Sequence, residues 1–172
     1  FYVPVNGMHD YVKGAGGAFS AYADKMVKKS DRLCKHDHEG ISVNLLGVTP
    51  LDFAYQKSYQ KLSENLKAHG IMVNTVWAMD IGEEDYDRIE EADLNLVVSA
   101  AGLSMAMILR EKLSMPYVIG TPLGEYTERI ALRLNDAVKY DLSSLRPKEE
   151  AEALVRELKL SDDSYSLAYE MR

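Results

Sequence analysis

The chain reads as an α/β protein, a Rossmann-like three-layer sandwich with a mainly parallel sheet. Three observations predict this. Short apolar runs alternate with segments of helical period along most of the chain. The run from Leu94 to Val98 is continuously apolar apart from Asn95, as in a strand covered on both faces. Several runs stop abruptly in Gly, Pro, Ser or Thr and pass directly into a helical pattern, as right-handed βαβ units require.

Phe1 to Val5 reads as a short strand, and Pro4 argues against a central place for it. Gly14 to Lys29 reads as a helix after a flexible Gly14–Gly17 lead-in, with Phe19, Tyr22 and Met26 on one side. Ser30 to Gly40 is a charged loop. Ile41 to Leu46 is a strand, and Gly47-Val48 is read as a turn. Thr49 stands as an N-cap, Pro50 at the first helical position and Asp52 three residues after the cap. The following helix carries Leu51, Tyr55, Tyr59, Leu62 and Leu66 at helical spacing and stops at Gly70.

Ile71 to Trp77 is the next strand, followed by a short acidic helix from about Glu83. After the strand Leu94 to Val98, Gly102 to Leu113 is helical and apolar nearly all round in its first half, so that half should be buried. Pro116 bars its continuation and precedes the strand Tyr117 to Ile119. Glu125 to Val138 is helical, with Ile130, Leu134 and Val138 in register. Pro147 starts a last helix carrying Ala151, Leu154, Val155 and Leu158. Residues 1–172 are thus read as a single Rossmann-like domain, with 139–172 forming a C-terminal helix and the start of a next segment.

A chain of 172 residues has room for one domain with a real core. A net charge of −7 argues against a nucleic-acid partner. No apolar run approaches the roughly 20 residues of a membrane span, and no secretory leader is read at the N-terminus. The single Cys34 excludes an internal disulfide, fits the reducing cytoplasm and cannot by itself hold an iron–sulfur cluster. The start at Phe1 without Met reads as a domain of a longer polypeptide. An isolated domain of that kind is expected to self-associate, because it bares apolar surface.

Ligands of such sheets bind outside the carboxyl ends of the strands. Four loops collect there: 47–50, 78–80, 99–102 and 120–124. They nominate Thr49, Asp80, Ser99, Ala100, Gly102, Thr121, Pro122, Gly124 and Thr127 as residues lining a ligand edge. Several of these loops lead into helix N-termini, which favour an acidic ligand group. Asp80 reads as an ordinary turn residue more readily than as a ribose ligand. Gly14–Gly17 lacks the Lys-Ser/Thr of a phosphate loop. His36 and His38 read as solvated, Cys34 as a bystander, and the methionines from Met105 to Met115 as core. No metal site and no catalytic group are assigned from spacing.

Particular stretches resemble the nitrogenase component 1 type oxidoreductases. They are Val43 to Gly47, Leu62 to Val73, Ala92 to Val97, Met115 to Val118 and the pattern Pro122-x-Gly124-x-x-Thr127. Val3 to Val5 followed by Gly16-Gly17 is similar to the segment leading into the second Rossmann-like domain of such subunits, so the resemblance covers about Phe1 to Val138. It implies a central domain of a subunit that pairs with a paralogous component 1 subunit. Such subunits take electrons from an ATP-dependent iron protein, and the parent complex carries an iron–sulfur cluster, held mainly by cysteines of a different domain. No cofactor is expected within these residues. In nitrogenase proper a cysteine just after the strand matching Leu94 to Val98 holds the active-site cluster. Ser99 stands there, and serine is a poor ligand for a soft cluster, which argues against nitrogen fixation. The Pro122 to Thr127 pattern is nearer the tetrapyrrole-reducing branch, where this loop lies near the substrate cavity. The resemblance leaves open a metallocluster-assembly scaffold, and a non-enzymatic Rossmann-like binding domain remains a further alternative.

Overall fold

Four strands pair in the order β2-β1-β3-β4, and all three pairings are parallel. They are β1 (Ile41–Val48), β2 (Ile71–Ala78), β3 (Leu94–Val97) and β4 (Tyr117–Ile119). The helices are α1 (Tyr11–Met26), α2 (Pro50–Phe53), α3 (Ser58–Lys67), α4 (Leu103–Leu113) and α5 (Tyr126–Lys139). This computed structural model describes residues 10–29, 40–55, 58–79, 81–82 and 85–139. The expected strand at 1–5, the loop with Cys34, His36 and His38, the residues Asp80 and Glu83, and the last helix from Pro147 lie outside them.

The helices form two layers. Leu46, Trp77 and Val97 share one sheet face with Ala23 and Val27 of the α1 side and with Met105, Ala106, Leu109 and Leu113 of α4. By strand alternation Val43, Leu45, Leu94 and Leu96 point to the opposite face. There α3 packs on β2 and α5, and α5 packs on β4 and β1, burying Leu62, Leu66, Ile130 and Leu134. The three-layer sandwich follows from β1 and β3 being buried on both faces.

Several expectations need correction. Helix α1 begins at Tyr11, where the Asp10 side chain accepts from the Lys13 amide at 2.9 Å, so Gly14 to Gly17 lie inside the helix rather than leading into it. Gly16 explains one of them: a Cβ there would stand 3.3 Å from the Ala101 carbonyl oxygen. Gly17 has open space around it. We therefore expect Gly17→Ala to stabilise the chain by about 0.5–1 kcal/mol in a urea melt, because the helix loses less chain entropy; a destabilised variant would show that α1 needs that glycine for packing. The inward stripe of α1 ends in Ala23 and Val27, and Met26 is exposed.

Gly47-Val48 belongs to β1 rather than to a turn. Gly47 is an extra residue in the pairing with β2, at φ +86°, so the strand continues past it as a bulge. The single helix expected from Pro50 to Leu66 is two helices. Phe53 turns into the core, leaving Leu51 73 % and Tyr55 78 % exposed, and the Ser58 hydroxyl donates to the Phe53 carbonyl at 2.7 Å. The acidic segment after β2 is a 3-10 helix, Asp87–Glu91. The helix expected from Gly102 starts as a 3-10 turn, Ala100–Gly102. Met105 and Met115 are core, but Met107 is exposed on the outer side of α4. In α5 the buried face includes Thr127, Ala131 and Ala137, while Val138 is half-buried.

Candidate functional site at the carboxyl edge of the sheet

From β1 the chain goes outward to β2, then crosses back to β3 on the other side of β1. The switch point therefore lies between the carboxyl ends of β1 and β3, where open α/β sheets bind ligands. At β1, the Thr49 amide donates to the Gly47 carbonyl at 3.0 Å. The Thr49 carbonyl accepts from Asp52 and Phe53 amides at 3.2 and 3.0 Å. Thr49 thus occupies the expected N-cap place, but its buried hydroxyl donates to Asp52 Oδ2 at 2.8 Å instead of capping an amide. The other oxygen, Asp52 Oδ1, accepts from the Tyr11 hydroxyl of α1. That hydrogen bond, with burial and the negative charges of Asp52 and Asp10 adding to it, pushes the Tyr11 phenol above its ordinary range.

At β3, the Ser99 hydroxyl donates to the Gly47 carbonyl at 2.6 Å, and the Val98 amide donates to Leu46 at 3.0 Å. The Gly102 amide returns to the Ser99 carbonyl at 3.1 Å. Gly102 sits directly on β1, so that a Cβ would lie 2.5 Å from the Leu46 carbonyl carbon. The strand ends are sealed against each other by backbone packing, with Ala100 exposed outside the seal. Ser99→Ala should cost about 1 kcal/mol in a urea melt, the usual net worth of one such bond, since Gly47 keeps the Thr49 amide. An unchanged midpoint would mean that the hydroxyl does not hold β1.

At β4, the Gly120 amide donates to Val97 at 2.9 Å and the Thr121 hydroxyl to Val98 at 2.8 Å. Buried Pro122 presents its carbonyl to Asn65 Nδ2 of α3 at 2.8 Å. Gly124, at φ +53°, makes the turn that a side chain would strain, and accepts from the Thr127 amide at 3.2 Å. Thr127 is 3 % exposed, and its hydroxyl has no partner among the described residues. Leu123 and Tyr126 stand exposed on this loop.

Thr49, Ser99 and Gly102 therefore meet at the switch point, with Ala100 beside them. Thr121 and Pro122 are tied to the same strand ends through Val97, Val98 and α3, with Gly124 and Thr127 continuing into α5. Asp80 lies outside the described residues. Sequence reasoning passes over Tyr11 and Asp52 as site residues. Forty-one positions separate them, and only the packing of α1 onto α4 and the 100–102 turn brings the start of α1 to Asp52. It also passes over the aromatic group of Tyr22, Trp77 and Tyr86, whose rings meet tilted or edge-to-face with centroids 5.0–5.2 Å apart at the end of β2. Burial first, then the charge of Asp87 and the neighbouring Tyr86, raises the Tyr22 phenol.

These residues do not fit a metallocluster. Among the described residues no three of His, Cys, Asp and Glu gather as a metal-binding group. Ser99 directs its hydroxyl into β1. Among the described residues, too, no helix is long and apolar enough to cross a membrane.

The sequence profile of one family, described as nitrogenase component 1 type oxidoreductase, matches residues 2–163. The chain belongs to that family. Its relatives include the B chains of light-independent protochlorophyllide reductases. The one from Prosthecochloris aestuarii is 34 % identical over 104 residues, covering 57 % of this chain and 20 % of that protein. The one from Crocosphaera subtropica is 33 % identical over 104 residues, covering 60 % of this chain and 20 % of that protein. That of Cereibacter sphaeroides is 28 % identical over 139 residues, covering 77 % and 26 %. The chain thus spans about a fifth to a quarter of the length of these component 1 type relatives.

Proposed function

We propose that this chain is the central, second Rossmann-like domain of a longer component 1 type subunit, and that its carboxyl edge walls part of a cavity for a tetrapyrrole. The tetrapyrrole is reduced with electrons from an ATP-dependent iron protein, and the subunit works in complex with a paralogous one. The observation that carries this reading is the make-up of the loop from Gly120 to Thr127. The Thr121 hydroxyl turns inward to Val98 and the Pro122 carbonyl to Asn65, while Leu123 and Tyr126 face outward with Glu125 between them. A rigid loop showing apolar and aromatic side chains suits a large planar ligand better than a small polar one. The names of the relatives support the same substrate class.

In this reading the residues of the chain bind, orient and exclude water. Tyr126 and Leu123 lie against the ring system. The seal of Ser99, Gly47 and Gly102 keeps solvent from entering behind it. Any iron–sulfur cluster of the complex belongs to residues other than those described.

The full-length polypeptide, expressed anaerobically with its genomic neighbour, should shift the absorption spectrum of added protochlorophyllide. Tyr126→Ala combined with Leu123→Ser should weaken that binding on the order of tenfold. A well-folded complex that leaves the pigment spectrum unchanged would refute the reading.

A further inference from the structure

We infer that Asn65 of α3 is a positioning residue for the loop after β4: its side-chain amide sets where Leu123 and Tyr126 stand. This rests on the proposed function, in which those two side chains lie against the ring system, and it names a residue outside the loop on which binding depends. Leu123, Gly124, Glu125 and Tyr126 are all exposed and lie between two buried residues, Pro122 and Thr127. The direction of this tip depends on how its two ends are held. Gly124 within it, at φ +53°, leaves the backbone free to take other conformations.

The two ends are held differently. Thr127 is fixed by packing, on the buried face of α5 with Ile130 and Ala131, and its hydroxyl has no partner among the described residues. Pro122 is fixed by a hydrogen bond, since Asn65 Nδ2 donates to its carbonyl at 2.8 Å. The amide nitrogen is the end that faces Pro122 because a carbonyl only accepts. Before Pro122 the loop is tied to β3, through Gly120 to Val97 and Thr121 to Val98. After it, the Leu123, Tyr126 and Thr127 amides bond to Thr121, Leu123 and Gly124, all within the loop. Among the described residues, Asn65 therefore makes the last tie to another element before the tip begins.

Asn65 is itself carried on a firm support. Leu62 and Leu66 of α3 are fully buried, and Asn65 flanks that stripe, half-buried. The His69 ring nitrogen Nδ1 lies 2.9 Å from the Asn65 carbonyl in the last turn of the helix. Asparagine is a poor residue for a helix interior, because its side chain competes for backbone groups. Here that side chain reaches 57 positions along the chain to a buried carbonyl, which gives the asparagine a reason. Side chains that stack on a ligand must be held close to one geometry. A tip released at one end shifts by on the order of 1 Å, enough to misplace them.

The test uses the full-length polypeptide with its co-expressed genomic neighbour, anaerobically, titrated with protochlorophyllide and read by absorbance. Asn65→Asp keeps the side-chain shape but sets an acceptor against the Pro122 carbonyl. It should weaken pigment binding on the order of tenfold, with a melting temperature within about 4 °C of wild type. Combined with Tyr126→Ala and Leu123→Ser, the same change should weaken binding less than about twofold further, because Asn65 acts through those side chains; a purely structural role would be additive. Hydrogen exchange of the Leu123 and Tyr126 amides should quicken on the order of tenfold in Asn65→Asp, with or without pigment. A wild type that binds pigment while Asn65→Asp stays within about twofold, or loses as much without Tyr126 and Leu123, would overturn the inference and leave the proposed function standing. A wild type that binds no pigment would overturn the proposed function, and unchanged exchange at Leu123 and Tyr126 would overturn the role of Asn65 by itself.

Discussion

Gly102→Ala should lower stability by about 3 kcal/mol, roughly 10 °C in melting temperature, and leave most of the protein insoluble when expressed warm. The added methyl would meet the Leu46 carbonyl carbon and oxygen at 2.5 and 2.6 Å and the Gly47 nitrogen at 2.8 Å. All three are backbone atoms of a central strand, so no rotamer change relieves the clash. Relief requires the 100–102 turn to move off β1. That movement breaks the Ser99 bond to Gly47, and it disturbs the Val98 bond to Leu46. The same motion would open the sealed switch point, so the variant that still folds should also be more readily cut by protease near Ser99. Differential scanning calorimetry beside wild type checks the first effect. A melting temperature within about 2–3 °C of wild type would show that β1 and the turn are not in direct contact.

Asn44→Ala should be the second severe loss, about 3–5 kcal/mol by urea denaturation. Asn44 is fully buried at the centre of the sheet. Its amide nitrogen donates to the Ile89 carbonyl at 2.8 Å and to Asn95 Oδ1 at 3.1 Å. Its oxygen accepts from Asn74 Nδ2 at 2.9 Å and from Thr75 Oγ1 at 2.7 Å. Thr75 in turn accepts from Trp77 Nε1 at 3.0 Å. Two successive β2 residues reach the same oxygen because Asn74 is an extra residue in the pairing with β1. Truncation would leave the Ile89 carbonyl and the Asn95 oxygen without this donor in a dry interior, and would leave a cavity as well. The network already has one open end, since Asn95 Nδ2 has no partner among the described residues. Asn44→Asp should also be strongly destabilising near neutral pH, because a carboxylate would face two acceptors. Its deficit should shrink as the pH falls and the carboxyl regains a donor proton. An Asn44→Ala variant within about 1 kcal/mol of wild type would mean that the network is not a structural requirement.

Both effects mark where sequence reading stops. Asn44 and Asn95 interrupt apolar runs that are otherwise easy to read as strands, and nothing local marks them as partners. Only the parallel register that sets Asn44 opposite Asn95 brings them together. Gly47 reads as a turn residue because a glycine after an apolar run usually is one. It is a bulge because β2 continues beside it, which is a property of the neighbouring strand. Leu51 and Tyr55 fit a helical stripe shared with Leu62 and Leu66, but a short helix can rotate about a single large anchor, and Phe53 is that anchor.

The alternation of strands and helices, the layered parallel fold and the family are all legible in the residues alone, because hydrophobic period and loop chemistry are local. Thr49, Ser99, Gly102 and Thr121 are likewise legible as lying at one edge, since strands of a parallel sheet end on the same side. What those residues do there comes from tertiary packing. It turns the Ser99 hydroxyl into β1, closes the switch point with two glycines, and joins Tyr11 to Asp52. Each depends on contacts between segments distant in the chain, whose geometry is set by how the layers pack and not by any neighbour in sequence.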